Sequence, residues 1–254
     1  MLLVVICFMA EMAELVTRLS KSNNVKIIGE TKNYLCLRSI CGSKKQSKVP
    51  LKLSADLAYF VGAITGDGYL ASANYRFGIH KANREYLCSV FSPLVYDLFD
   101  LKLSLYDSKR SFHMCVKNKV IWLMLNKIFE LPNGKKALKV GVPGIIKKAN
   151  SEIQKAYLAG LFDTDGGRRG RGYGFTTASK KMFVGSIRLL KGLGFNPQKD
   201  RWVNHKYNRE YFGWKISKRE EGQFFQQIPL KNTKKFGSYA GIPKRSKGHV
   251  LNSG

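Results

Sequence analysis

One stretch of this chain occurs twice. Residues 59–70 read YFVGAITGDGYL and residues 157–168 read YLAGLFDTDGGR. The alignment sets Tyr59 on Tyr157, Gly62 on Gly160, Asp67 on Asp165 and Gly68 on Gly166, at an offset of 165 − 67 = 98 residues. A short strand pattern and an amphipathic helix pattern follow each copy, with Asn83 and Ser179 placed as N-caps. Further on, Lys135-Lys136 corresponds to Lys234-Lys235. A repeat of this length predicts two tandem units, 55–150 and 151–254, with residues 1–54 outside them as an extension of unassigned role.

Within each unit the periodicity is legible. Leu101, Leu103 and Leu105 alternate with polar residues, as do Phe112, Met114 and Val116, and Phe212, Trp214 and Ile216. Period two predicts strands with one buried and one polar face. Helical segments are expected near 84–98, 118–130, 180–192 and 219–227. Each unit then reads αββαββα, an α+β fold of two pseudo-symmetric halves with antiparallel, saddle-like sheets. In the extension, VKIIGE and YLCLRSI around Thr31-Lys32-Asn33 predict a hairpin, CGSKKQSKVP a basic linker, and the apolar start a helix or a surplus start.

The repeated stretch is unusual for a helix. Gly62 and Gly66 are four residues apart, and Gly160 and Thr164 repeat the spacing. A glycine inside a helix costs about 1 kcal/mol against alanine. Small residues at i and i+4 offset that cost when two backbones approach closely. Two copies predict that the helices pack on each other at the seam between the halves. Each helix then ends on Asp-Gly, the glycine being expected as a C-terminal stop. Asp67 and Asp165 would sit at the negative ends of their helix dipoles. If the helices pair in parallel, the carboxylates also face each other, which is costly unless a proton or cation lies between them. Magnesium, which takes carboxylates, phosphate oxygens and water, resolves the conflict.

Composition narrows the partner. Forty-four Lys and Arg against 17 Asp and Glu leave a formal charge of +27. That balance points to a polyanion, nucleic acid first. The five cysteines have irregular spacing and no CxxC pair, which fits a reducing cytoplasm. The four histidines have no zinc spacing, and no run of 18 apolar residues predicts a membrane span.

The segment LAGLFDTDG, Leu158 to Gly166, resembles the name-giving motif of the LAGLIDADG homing endonucleases and differs from it at two positions. The resemblance covers about residues 50–245 and is nearest the monomeric two-repeat branch, especially archaeal intron- and intein-associated members. It implies motif helices at the interface of two αββαββα halves. It implies catalytic metals, magnesium among them, bound by the last acidic residue of each motif, Asp67 and Asp165, with Gly66 and Thr164 beside them in the metal set. It also implies a basic catalytic residue near each scissile phosphate, Lys136 and Lys235, with Lys135 and Lys234 as the other member of each pair. Lys81 and Thr177 align with a polar position that orders water. The activity implied is a metal-dependent, staggered double-strand break in a long asymmetric DNA site. The first copy departs from the pattern, with Thr65 for the earlier aspartate and Gly66 for alanine.

Contacts to double-stranded DNA are expected from polar strand faces and basic turns: Lys102, Tyr106, His113, Lys117, Arg168, Arg169, Arg171, Tyr211 and Lys215. Two alternatives from other classes stand beside the nuclease. An RNA-binding intron maturase would tolerate loss of either aspartate and prefer intron RNA; a DNA-binding regulator would bind without cutting. Protein splicing is disfavoured, because His249 is not next to Asn252 and too little chain precedes the first repeat.

Overall fold

The computed structural model describes residues 12–21, 24–41, 45–81, 83–108, 111–170 and 172–236. Two helices form its centre, Ala55–Gly66 and Ser151–Asp165. Ser54 caps the first through its hydroxyl on the Leu57 amide (3.2 Å), and Asn150 caps the second through its amide oxygen on the Ile153 amide (3.0 Å). Both are buried over most of their length, and they pack on each other.

The glycines dictate how closely. A Cβ built on Gly62 would lie 2.1 Å from the Tyr157 carbonyl oxygen, and one on Gly160 would lie 2.0 Å from the Tyr59 carbonyl oxygen. The expected backbone-to-backbone seam is therefore present, and it is reciprocal between the two repeats. Gly166 is the expected stop of the second helix, its amide donating to the Phe162 carbonyl at 2.9 Å, whereas the first helix is capped by Asp67 and Gly68 follows it. Neither glycine has positive φ. A Cβ on Gly68 would meet the Ile64 backbone at 2.5 Å, and one on Gly166 would meet the Phe162 ring at 2.3 Å. The chain folds back tightly over the last helical turn there, and only hydrogen fits.

A four-stranded antiparallel sheet flanks each side of the pair. The first holds β4 (Gly68–Ala71), β5 (Arg76–Lys81), β6 (Ser104–Ser108) and β7 (Ser111–Lys117) in the order β4-β5-β7-β6. The second holds β8 (Gly167–Arg169), β9 (Gly172–Thr177), β10 (Gln198–Asn204) and β11 (Arg209–Ile216) in the order β10-β11-β9-β8. With helices at 84–99, 119–128, 180–192 and 221–227, each half runs αββαββα as expected. Asn83 and Ser179 cap as expected, accepting from Tyr86 and Met182 amides at 3.3 Å each.

Two expectations need correction. The strand expected from Leu101 begins at Ser104. Asp100 closes the preceding helix in the left-handed conformation, which sends Leu101 into the core before the chain reaches the sheet. The extension does form the hairpin, β1 (Val25–Glu30) with β2 (Tyr34–Ser39), but the supposed linker supplies a third strand, β3 (Gln46–Pro50). Its alternation, with Ser47 and Val49 buried, is masked in the sequence by the lysines between them. This sheet docks on the first half through Leu35, Leu37 and Val49, and through Asn118, whose buried amide donates to the Ser47 hydroxyl at 2.7 Å. Residues 1–11 and 237–254 lie outside the described residues. No helix among the described residues is long and apolar enough to cross a membrane.

Candidate metal and nucleic-acid site

Parallel packing brings Asp67 and Asp165 together where the two central helices end. A Cβ on Gly66 would lie 3.5 Å from the Asp165 carboxyl carbon, and 2.1 Å from the Thr164 hydroxyl. Small residues there allow the carboxylates to approach. Asp165 is open to solvent on one side. Even so, the protein around its carboxyl group, and then the facing Asp67 carboxylate, push it up to about 7. Burial works to raise Asp67 too, but a hydrogen bond from the Asp165 carboxyl and the Lys81 ammonium outweigh it and hold Asp67 below its ordinary value. The two groups act as a pair sharing a proton.

Three lysines converge on this point. Lys81 Nζ lies 2.6 Å from Asp67 Oδ2 and also donates to the Thr164 carbonyl. Lys235 Nζ donates to the same carbonyl at 2.8 Å. Lys136 Nζ donates to the carbonyls of Ile64 (2.8 Å), Thr65 (2.7 Å) and Gly66, the unsatisfied end of the first central helix. Burial first of all brings Lys136 and Lys235 down to about 8 each. Lys135 is exposed, so Lys136 is the member of its pair that turns inward, to the helix end and the cavity that Asp165 lines; the side chain of Lys234 is outside the described ones.

Two cavities flank the pair. One of about 230 Å³ is lined by Asp165, Lys136, Thr177, Arg209 and Tyr211. The other, about 870 Å³, is lined by Lys81, Lys235, Asn83 and Asn232. Each draws residues from both repeats, and they differ: Lys81 in one has Thr177 as its counterpart in the other. Thr177 instead accepts the Ser179 amide at 3.0 Å. Two carboxylates at the negative ends of two helices form an oxygen donor pair that fits a hard divalent cation, while the Gly66 and Thr164 carbonyls beside them accept from the lysines.

Residues 152–229 match the LAGLIDADG-like domain family. The structure is similar to that of I-DmoI in complex with DNA and Mn, at 19% identity over 70% of this chain and 97% of that one, with a TM-score of 0.55. Mesophilic variants of the homing endonuclease I-DmoI align at 20% identity over 69% of this chain and 96% of theirs, with a TM-score of 0.53. I-DmoI in complex with DNA and Ca aligns at 19% identity over 69% and 90%, with a TM-score of 0.53. At these identities the likeness is one of fold. No curated protein matches the chain.

The second repeat contains a buried carboxylate whose role sequence reasoning missed. Asp163 is fully buried. Its Oδ2 accepts from the Tyr59 hydroxyl (2.6 Å) and from the amides of Lys231 (2.7 Å) and Asn232 (3.1 Å). Burial pushes it up to about 6. Tyr59 belongs to the other repeat, so this cluster ties both halves to the segment that leads to Lys235. The signal in the sequence was the mismatch of Asp163 with Thr65. In the first repeat Thr65 donates to the Val61 carbonyl (2.7 Å), and the Tyr157 hydroxyl, counterpart of that of Tyr59, is buried without a partner among the described residues. Tyr59→Phe is expected to lower stability by about 2 kcal/mol, because the Tyr86 hydroxyl 3.1 Å away and the Asp163 oxygen both lose a buried partner. Urea unfolding reads this as a lower midpoint at unchanged slope; an unchanged midpoint would remove Tyr59 from the interface account.

Register places the residues expected to contact DNA. Tyr106, His113 and His80 pair across β6, β7 and β5 and turn away from the central helices, with Lys117 on the same face. His113 stacks on His80 (4.2 Å between ring centres) and lies 2.7 Å from the Tyr69 hydroxyl; burial and then His80 hold its pKa down. Lys102 is exposed ahead of β6. On the second sheet Tyr211 and Lys215 share the outward face with Trp202. Arg169 lies over the Trp202 ring at 4.9 Å, in space left by Gly213. Arg168 is exposed but pairs with buried Tyr173, on the register that faces the helices. Arg171 is outside the described residues. Trp202 and Arg209 were not singled out in the sequence: β10 has no buried face to set its alternation, and pairing with β11 is what places Trp202 beside Tyr211 and Asn204 beside Arg209.

Proposed function

We propose that this chain is a site-specific DNA endonuclease that hydrolyses phosphodiester bonds of duplex DNA with divalent cations, magnesium among them. The observation that carries the reading is the apposition of Asp67 and Asp165 at the ends of two helices packed backbone to backbone. Nothing in the stability of the fold requires two carboxylates there, and the fold likeness to I-DmoI, solved with DNA and Mn, supports the same use. Asp67 and Asp165 would hold the cations, with the Gly66 and Thr164 carbonyls beside them. Bound there, the metal supplies Lewis-acid activation of water and of the phosphate.

The chain's own groups do the rest. Lys136 on one side and Lys235 on the other stabilise negative charge developing on each phosphate. Lys81 holds Asp67 ionised and oriented through their contact. The outward strand faces, with Tyr106, His113, Lys117, Tyr211, Lys215 and Arg169, seat the two half-sites, one per repeat (55–150 and 151–254). The protein would act as a monomer, since both repeats are in one chain, and would leave a staggered break.

The test is magnesium-dependent cleavage of a plasmid library of candidate sites. Discrete double-strand breaks, dependent on divalent metal, are expected. Tight, salt-sensitive binding without cleavage in any divalent metal would replace this reading by that of a binding protein, and intron RNA would be the next ligand tried.

A further inference from the structure

The amino-terminal three-stranded sheet has two unlike faces. Val25, Leu35, Leu37, Ser47 and Val49 turn to the core. The register puts Lys26, Arg38 and Gln46 in one row on the opposite face, with Cys36 and Lys48 in the next and Tyr34 and Pro50 beyond. No acidic residue lies in those rows. Lys48 lies over the Tyr34 ring at 5.5 Å, so the ring is held between the strands and the ammonium points outward. A sheet that needed only solubility would mix both signs here.

The end of this face adjoins the outward face of the first central sheet. The turn after β2, at Cys41, shares a cavity of about 400 Å³ with Tyr75, Lys117 and Lys119, at the outer ends of β5 and β7. Asn118 fixes the junction, donating to Ser47 and capping the helix that follows through the Ile121 amide at 3.0 Å. The basic row Lys26–Arg38 lies at the Cys41 end of its sheet, and Arg76 and Lys117, which pair across β5 and β7, stand at the end of theirs that borders the same cavity.

We infer that the open face of the amino-terminal sheet is a third DNA-contacting surface, which holds phosphates of the duplex beyond the outer end of the first half-site. This rests on the endonuclease reading above. The charge of the face and its place beside the basic end of the first central sheet favour a phosphate backbone as occupant. Lys26, Arg38 and Lys48 would hold phosphates, whose attraction for positive charge does not depend on base sequence.

Lysine-modification footprinting of the full chain, read by mass spectrometry with and without a duplex about four helical turns long, tests it. Protection of Lys26 and Lys48 together with Lys117 and Lys215 is expected. Lys26→Ala/Arg38→Ala/Lys48→Ala should also flatten the slope of log affinity against log salt by about 2–3, since each lost phosphate contact removes about 0.9. Protection of Lys117 and Lys215 alone would overturn this inference and leave the endonuclease reading standing. No protection anywhere would remove both. Protection of Lys26 and Lys48 by a structured RNA hairpin but not by duplex DNA would assign the face to RNA and overturn it as well.

Discussion

Gly62→Ala and Gly160→Ala are each expected to lower stability by about 3 kcal/mol, near the upper end of overpacking costs. For a chain of this size that is roughly 6–12 °C in Tm. The sign is the informative part. Alanine in a helix ordinarily gains about 1 kcal/mol over glycine. Here the added carbon would stand 2.1 or 2.0 Å from a carbonyl oxygen of the partner helix. Backbone cannot move aside as a long side chain can, so the helices must separate. Separation would also pull Asp67 from Asp165, so cleavage should fall more than folding does. Thermal unfolding of the two variants checks this, and a Tm at or above that of the parent would mean that the helices do not touch as described.

The second large effect concerns the carboxylates. Asp67→Asn and Asp165→Asn should each abolish double-strand cleavage, a loss of about a thousandfold or more on the scale of removing a metal's charged ligand. DNA affinity should stay within about tenfold, because phosphate contacts spread over both sheets carry most of it. In metal-free buffer Asp165→Asn should melt slightly higher, by about 1 kcal/mol, since burial and the facing Asp67 disfavour its charge, whereas Asp67→Asn should melt lower, since Lys81 loses its ion-pair partner. Loss of cutting with a gain in stability would separate a metal site from a structural one. Cleavage at the parent rate would exclude these residues as ligands, and a fall in the Tm of Asp165→Asn would make its carboxyl group part of the scaffold.

Much of the site was legible because a repeat reports on itself. Gly62 on Gly160 and Asp67 on Asp165 mark a seam and a paired acid before any coordinate is known. Asp163 was not legible in that way. Its use differs from that of its counterpart Thr65, so the repeat marks it only as a mismatch. Its partners Lys231 and Asn232 contribute backbone amides, which carry no residue signal. The third strand of the amino-terminal sheet was hidden for a related reason. Gln46 and Lys48 flank Ser47 in a run that reads as a basic linker, and only docking against Asn118 makes Ser47 an inward residue.

Sequence alone determined the two αββαββα halves, the helix pair between them and the aspartates that end it, because period-two and small-residue spacing act within a few residues of chain. Tertiary structure decided the rest: that Lys136, not Lys135, reaches the end of the first central helix, that Lys81 pairs with Asp67 whereas Thr177 turns to the Ser179 amide, and that Trp202 stands on the outward face beside Tyr211. Those outcomes depend on groups far apart in the chain meeting at one point, and residue order carries no distance between them until the helices have packed.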